Sequence, residues 1–237
     1  MKVKILSKDR CYKETIDCIV DVLLKMNISV ELVDYKSPIT DNYYIIIGKD
    51  LLSILTLPTN YIIVQLETLG DVEKEDIDNF LGKSYLHALQ NAKCIWDHSE
   101  NNINILQKIY NFTDIYHIPF YYSKVVDNSS IYSSKIKDYD IFFNEPSEKI
   151  PRRKELIEKL KKKYNVYTAT DNIWNKEKLQ ILYRSKIALH ILYYETDLPE
   201  LRDLNIMLSN KSFIISEANS NQPDILQNYT ISVPYKE

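Results

Sequence analysis

Two apolar stretches decide the fold: Tyr-Tyr-Ile-Ile-Ile at residues 43–47 and Tyr-Ile-Ile-Val-Gln at residues 61–65. Each has the length of a strand, and neither alternates between apolar and polar residues. Such continuous runs are typical of strands that are buried on both faces of a parallel sheet. The sequence therefore predicts an α/β protein built around parallel sheets.

Strand and helix signals alternate along the chain in two rounds that are separated by a polar segment. Residues 125–137 are Ser-rich and lack periodicity, which favours a linker. We interpret residues 1–124 as one domain and residues 138–237 as a second. The two rounds predict two Rossmann-like parallel-sheet domains facing across a cleft, with ligand-facing loops at the carboxyl ends of the strands.

Local signals predict where several elements begin and end. Ser99 is expected to cap a helix that runs to about Tyr110, and Pro151 is expected to be the first residue of another helix. Residues 71–78 are charged and precede a helix predicted around residues 85–90. The strongest strand signal of the second half covers residues 186–193.

Composition excludes several classes of protein. The 237 residues are 45% hydrophobic and 27% charged, which is typical of a packed globular chain. A net charge of -3 provides no global basic field, so nucleic acid is not expected as a partner. The apolar runs are too short to cross a bilayer and Met1 is not followed by a signal peptide, so we expect no transmembrane segment and a cytoplasmic location. The abundance of Lys, Asn, Ile and Tyr indicates an AT-rich genome.

The counts of glycine, cysteine and histidine limit the chemistry further. The three glycines form neither a dinucleotide-binding motif nor a Walker loop. Cys11, Cys18 and Cys94 have no metal-ligand spacing, and the four histidines are far apart in the sequence. We therefore expect buried, reduced thiols and no structural zinc.

A series of short segments follows a characteristic order over nearly the whole chain. In the first half these are Gln65-Leu66-Glu67, residues 85–92, and Trp96-Asp97-His98-Ser99 with Asn102. In the second half they are residues 141–144, Arg152-Arg153, residues 184–190, Tyr193-Tyr194, Glu200, residues 208–209 and residues 213–217. The series resembles the GT-B glycosyltransferases, in particular the short group 1 proteins related to spore-maturation glycosyltransferases.

The resemblance implies a donor site in the second half. Arg152 and Arg153 would hold the diphosphate of a nucleotide sugar without a metal, since guanidinium groups and helix-start N–H groups bind anions. Glu200 matches the family glutamate that binds the ribose hydroxyls. The other residues expected to line this pocket are Tyr194, Ser216, Glu217 and Asp224. No cofactor or metal is implied beyond the donor substrate itself.

Three residues of the first half are the catalytic candidates. Glu67, Asp97 and His98 each follow the carboxyl end of a predicted strand, where a hydroxyl acceptor on a glycan, glycoprotein or glycolipid would lie. An inverting transferase needs a general base at this place, and His98 titrates near neutral pH. A retaining enzyme needs groups that stabilise an oxocarbenium-like state instead. The sequence leaves both outcomes open.

Some features favour other interpretations. Asp203 stands where relatives usually carry an arginine, so a catalytically degenerate nucleotide-binding or scaffold protein is the alternative to an active glycosyltransferase. A flavodoxin-like or response-regulator pair would need a phosphate loop or acidic cluster after the first strand, and residues 7–10 supply neither.

Asp138-Tyr139-Asp140 matches the metal-binding DxD pattern of GT-A glycosyltransferases. It begins a strand instead of ending one, so we assign no metal to it.

Overall fold

The computed structural model describes residues 2–7, 12–49, 56–69, 73–120, 122–132, 136–144, 150–169, 176–192, 201–218 and 228–235. The chain divides into two compact units, Met1–Phe120 and Tyr121–Glu237. Each unit contains one parallel sheet with helices, as the sequence predicts. None of the helices in the described ranges combines the length and apolar character needed to cross a membrane.

The first unit is a six-stranded parallel sheet in the order β2-β1-β3-β4-β5-β6. β2 is added on one side of β1, and β3 and the later strands are added on the other side. The carboxyl ends of β1 and β3 therefore form a topological switch point, the place where open α/β sheets bind ligands. Its elements are β1 (Lys2–Ser7), α1 (Lys13–Lys25), β2 (Ser29–Val33), β3 (Tyr43–Ile47), β4 (Asn60–Gln65), α2 (Lys74–Leu81), α3 (Lys83–Asn91), β5 (Cys94–Asp97), α4 (Glu100–Tyr110) and β6 (Ile115–His117).

Both faces of this sheet are buried, which confirms the interpretation of its apolar strands. Ile46 of β3 packs in a cluster that includes residues of α2, α3 and α4. Its neighbour Ile45 points to the opposite face and packs in a cluster that includes Leu23 of α1. Successive residues of a strand point to opposite faces, so a strand covered on both sides must be apolar throughout.

The second unit is a five-stranded parallel sheet in the order β11-β10-β9-β7-β8, with its switch point between β7 and β9. Its core includes Phe142, Leu182, Ala188 and Leu204. Pro151 is the first residue of α5, as predicted. The elements are β7 (Tyr139–Phe143), α5 (Pro151–Lys161), β8 (Val166–Thr168), α6 (Lys176–Tyr183), β9 (Ser185–His190), α7 (Leu201–Ser209), β10 (Ile214–Glu217) and β11 (Ile231–Val233).

Part of the predicted linker is attached to the second unit. Val126 is buried, and its carbonyl accepts a hydrogen bond from Asn210 Nδ2 at 2.9 Å. The amide oxygen of Asn210 in turn accepts one from the backbone N–H of Asn128, also at 2.9 Å. Asn210 lies just after α7, so these contacts hold residues 126–128 against the end of that helix. The boundaries 124/125 and 137/138 themselves stay predictions.

The buried positions of the first sheet should dominate the stability of that unit. Ile46→Ala removes a side chain with 0% exposure and should lower the free energy of unfolding by about 3 kcal/mol, measured by urea denaturation. Leu32→Ala, on β2 of the same sheet but 63% exposed, is the matched control and should cost less than about 0.5 kcal/mol. Equal losses from the two variants would contradict this assignment of the core.

Candidate functional site

Asn102 ties the loop after β4 to the start of α4. Its side chain is fully buried, and its Oδ1 accepts the backbone N–H of Leu69 at 2.9 Å. Its Nδ2 donates to the carbonyl of Glu67 at 2.8 Å and to the Asp97 carboxylate at 3.2 Å. Ser99 caps α4 as predicted, accepting the N–H of Asn102 at 3.3 Å. The carboxyl ends of β4 and β5 are therefore joined through one amide side chain.

Gln65 also binds the loop after β4, through the backbone of Glu67. Its Nε2 donates to the carbonyl of Glu67 at 2.8 Å, and its Oε1 accepts the N–H of Glu67 at 2.9 Å. The Tyr85 hydroxyl donates to the same Oε1 at 2.9 Å, and burial raises the pKa of Tyr85 well above its usual value. The backbone of Glu67 is thus fixed by two buried amides.

The side chain of Glu67 remains 19% exposed. Lys49 Nζ lies 3.5 Å from its Oε2. Lys49 itself donates to the carbonyl of Phe80 at 3.2 Å and lies 3.8 Å from the centre of the Phe80 ring. Lys49 is not among the residues that the sequence patterns predict for this site. Its position directly after the apolar run of β3 and Gly48 is the signal that marks it, since Gly48 turns the chain with a φ of 100°.

Asp97 lies at the end of β5 with 1% exposure. Burial raises the pKa of Asp97 to about 7, although hydrogen bonds from the backbone N–H of Ser99 and the amide of Asn102 act in the opposite direction. Both of those partners belong to the start of α4. The structure therefore places Asp97 inside the network that joins β5 to α4, and not on a surface that an acceptor reaches.

His98 is also buried, and its ring packs against Phe120 with the ring centres 5.2 Å apart. Its Nδ1 lies 3.4 Å from the carbonyl oxygen of Gln65 and 3.7 Å from Asp97 Oδ1. The three predicted catalytic residues thus lie together at the carboxyl ends of β4 and β5. Glu67 is the one among them whose charged group is partly open to solvent.

In the second unit, Arg152 and Glu217 form a bidentate ion pair beside the switch point. Arg152 Nη1 donates to Glu217 Oε2 at 3.0 Å, and Nη2 donates to Oε1. Nη1 also donates to the carbonyl of Leu192 at 2.8 Å. The ring centre of Tyr235 lies 4.1 Å from the guanidinium carbon. The structure thus brings the predicted donor-site residues Arg152 and Glu217 together at the carboxyl end of β9, where they form an ion pair.

Arg153 faces the interior instead. Its side chain is 1% exposed, and it donates to the carbonyls of Ile191 at 2.6 Å and Leu192 at 3.2 Å. A buried charge needs such partners because desolvation is costly. The two consecutive arginines therefore differ: Arg153 binds the end of β9, whereas Arg152 lies at the edge of the unit.

His190, Ser216 and Asp203 form a buried polar cluster between the ends of β9 and β10 and the start of α7. His190 Nδ1 and Ser216 Oγ are hydrogen-bonded at 3.0 Å. Burial raises the pKa of Asp203, but the charges of Lys178, Arg202 and His190 outweigh it, so the net direction is downward. Lys178 Nζ lies 4.0 Å and Arg202 Nε lies 3.7 Å from Asp203 Oδ1. The acidic residue at position 203 is compensated by cations of its own unit.

The remaining predicted residues are three of the donor site and the two carboxylates of the DxD pattern. Glu200, Tyr194 and Asp224 lie outside the described residues. Asp138 pairs with Arg184, and Asp140 pairs with Lys186 at 2.7 Å, so both carboxylates of the DxD pattern are engaged at the amino end of β7. Within the described ranges, no three His, Cys, Asp or Glu side chains come together as metal ligands would.

Comparisons with known proteins place the fold. No protein-family model matches the sequence, and no curated protein matches it. A crystal structure of an α1,3-fucosyltransferase aligns over 100% of this chain and 74% of that chain, with a TM-score of 0.54 and 10% identity. A crystal structure of an α1,3-fucosyltransferase with GDP aligns over 92% and 68% of the two chains, with 12% identity and a TM-score of 0.48, too low to support an argument. The first likeness shows a shared GT-B-type fold of two parallel-sheet units.

The buried Asp97 should make stability depend on pH. Because its pKa is about 7 in the folded chain and near 4 in the unfolded chain, the folded state holds a proton between these values that the unfolded state releases. The free energy of unfolding should therefore fall as pH rises from about 4 to about 7, by on the order of 4 kcal/mol from this group. Asp97→Asn should remove this component from denaturation curves measured across that range.

Asp114→Asn, which changes an exposed carboxylate of the same unit, is the control and should retain the pH dependence of the unmodified chain. If Asp97→Asn gave the same slope as the unmodified chain, the buried carboxyl would not be the group that titrates.

Proposed function

We propose that the chain is a glycosyltransferase that moves a sugar from a nucleotide-sugar donor to a hydroxyl acceptor without an obligatory metal. The shared GT-B-type fold supports this class of reaction. The single observation that carries the proposal further is Arg152, a guanidinium held at the switch point of the second sheet. Open α/β sheets bind their ligands at such points.

Arg152 has the chemistry that a diphosphate requires. A guanidinium binds two oxygens of one anion at once, and Arg152 already does so with the carboxylate of Glu217. Its position in the first turn of α5 adds the favourable end of the helix dipole. Arg153, buried beneath it, acts in this proposal by positioning the end of β9 and not by contacting the donor.

Glu67 is the proposed general base in the first unit. Proton abstraction needs an accessible acceptor for the proton, and the Glu67 carboxylate is more exposed than Asp97 or His98. Its backbone is fixed by Gln65 and Asn102, which would hold the carboxylate in one place during the reaction. Asp97 and His98 support this loop in the proposal, and the acceptor is a glycan, glycoprotein or glycolipid hydroxyl.

Donor binding is tested by thermal shift and calorimetry with UDP, GDP, CDP and ADP in metal-free buffer. At least one should raise the melting temperature, and Arg152→Gln should weaken its binding about tenfold or more because a charge-assisted contact is lost. Lys154→Gln removes an exposed cation two residues further along α5 and should change little. A flat response to all four nucleotides would contradict the proposal, as would equal losses in the two variants.

The role of Glu67 is tested with the donor that this screen identifies. Glu67→Gln should leave donor binding intact and slow sugar transfer, including slow transfer to water, by about 100-fold or more. Release of the sugar is followed by mass spectrometry. Glu100→Gln, at an exposed position in the first turn of α4, should retain the rate of the unmodified chain. An unchanged rate in Glu67→Gln would remove it as the base.

The second candidate function is a catalytically degenerate protein of the same fold that binds nucleotides or serves as a scaffold. It is favoured by Asp203, whose negative charge is balanced by the nearby cations Lys178 and Arg202. The positive charges of Lys178 and Arg202 are balanced by this carboxylate, which weakens their attraction for a donor phosphate. Nucleotide binding without turnover of any donor would select this function over the first.

A further inference from the structure

Three N–H donors converge on the carboxylate of Glu217. Two come from Arg152, whose Nη1 is 3.0 Å from Oε2 and whose Nη2 donates to Oε1. The third is the backbone N–H of Leu192, which donates to Oε2 at 3.0 Å. The Glu217 side chain is 7% exposed, so its charge is balanced almost entirely by these groups. A fork of guanidinium donors joined by a backbone N–H is the arrangement with which proteins bind phosphate oxygens.

We propose that these donors form an oxyanion site that Glu217 fills in the free chain, and that a diphosphate binds by exchanging with the Glu217 carboxylate. The inference rests on the proposed function in taking that diphosphate to belong to a nucleotide-sugar donor. Glu217 is then an internal competitor that sets the affinity of the site. A carboxylate and a phosphate oxygen satisfy the same donors, so the two cannot occupy them together.

The donors also have contacts that do not depend on the Glu217 carboxylate. Arg152 keeps its hydrogen bond to the Leu192 carbonyl at 2.8 Å and its contact with the ring of Tyr235. The Tyr235 hydroxyl donates to the backbone carbonyl of Arg152 at 2.7 Å, which ties the ring to the start of α5. Arg153 independently holds the carbonyls of Ile191 and Leu192. The site is thus organised without Glu217, and the contribution of Glu217 is its charge.

Exchange is favourable for an anion of higher charge. A diphosphate brings more negative charge and more acceptor oxygens than one carboxylate, so it interacts more strongly with the guanidinium. A singly charged carboxylic acid has no such advantage over Glu217. The device therefore favours phosphorylated ligands over the many carboxylate metabolites that an exposed arginine would otherwise attract.

The experiment titrates inorganic pyrophosphate into the full chain by calorimetry. Glu217→Gln keeps the shape of the side chain and removes its charge, so pyrophosphate should bind about tenfold more tightly than to the unmodified chain. Glu155→Gln is the matched control. It removes an exposed carboxylate of α5, which pairs with Lys159 at 2.7 Å. It should change the affinity less than about twofold. Unchanged or weaker binding in Glu217→Gln, or an equal gain in Glu155→Gln, would overturn the exchange.

A second variant keeps the test decisive if Glu217→Gln does not fold, as judged by thermal unfolding. Glu217→Asp retains the charge but cannot reach all three donors, so it should bind pyrophosphate more tightly than the unmodified chain and more weakly than the glutamine variant. Binding no tighter than that of the unmodified chain would overturn the proposal. Adding Arg152→Gln to either variant should abolish the gain, and a gain that survives this change would also overturn it.

The outcome separates this inference from the proposed function. If the unmodified chain binds a nucleoside diphosphate but Glu217→Gln shows no gain for pyrophosphate, the transferase proposal stands and the exchange fails. If pyrophosphate binding tightens but no nucleoside diphosphate binds any variant, the oxyanion site stands and the nucleotide-sugar function fails.

Discussion

The buried guanidinium of Arg153 joins the elements that carry the proposed donor site of the second unit. It donates to the carbonyls of Ile191 and Leu192 where the chain leaves β9, so it joins the first turn of α5 to the carboxyl end of the central strand. Burying a guanidinium is costly unless its N–H groups are hydrogen-bonded, and backbone carbonyls at this strand end accept two such bonds. The same contact sets the positions of Arg152 and of the Leu192 N–H, which share Glu217. The proposed donor site is therefore built on a buried arginine, Arg153, directly beside Arg152, the arginine that we propose binds the donor.

In the first unit, neutral amide side chains hold the residues at the ends of the strands. Gln65 and Asn102 hold the backbone of Glu67 through amide hydrogen bonds and join the ends of β4 and β5. The Glu67 carboxylate itself pairs with Lys49 at 3.5 Å. In both units the side chains of the proposed sites lie at the carboxyl ends of parallel strands, the edge at which open α/β sheets bind ligands. The GT-B-type fold thus provides two scaffolds, one fixing a carboxylate and the other fixing a cation.

Much of the fold follows from the sequence because its rules are local. The apolar runs at residues 43–47 and 61–65 predict strands buried on both faces, and Pro151 and Ser99 mark helix starts through their own backbone and side-chain chemistry. α2 was missed because its charged sequence hides two buried positions, Ile77 and Leu81. The sequence could not predict that Arg153 is buried while Arg152 pairs with Glu217. Adjacent helical residues point about 100° apart, and which of the two faces the sheet depends on how α5 packs. Lys49 and the clamp formed by Asn102 likewise depend on contacts between strands far apart in sequence.

In our proposal, Arg152 binds the diphosphate of a nucleotide in the second unit. A crystal structure of the chain with the nucleoside diphosphate that it binds best would show whether it does. We expect phosphate oxygens within hydrogen-bonding distance of the Arg152 guanidinium, at the carboxyl end of β9. A nucleotide bound elsewhere, with the guanidinium still paired to Glu217, would contradict it.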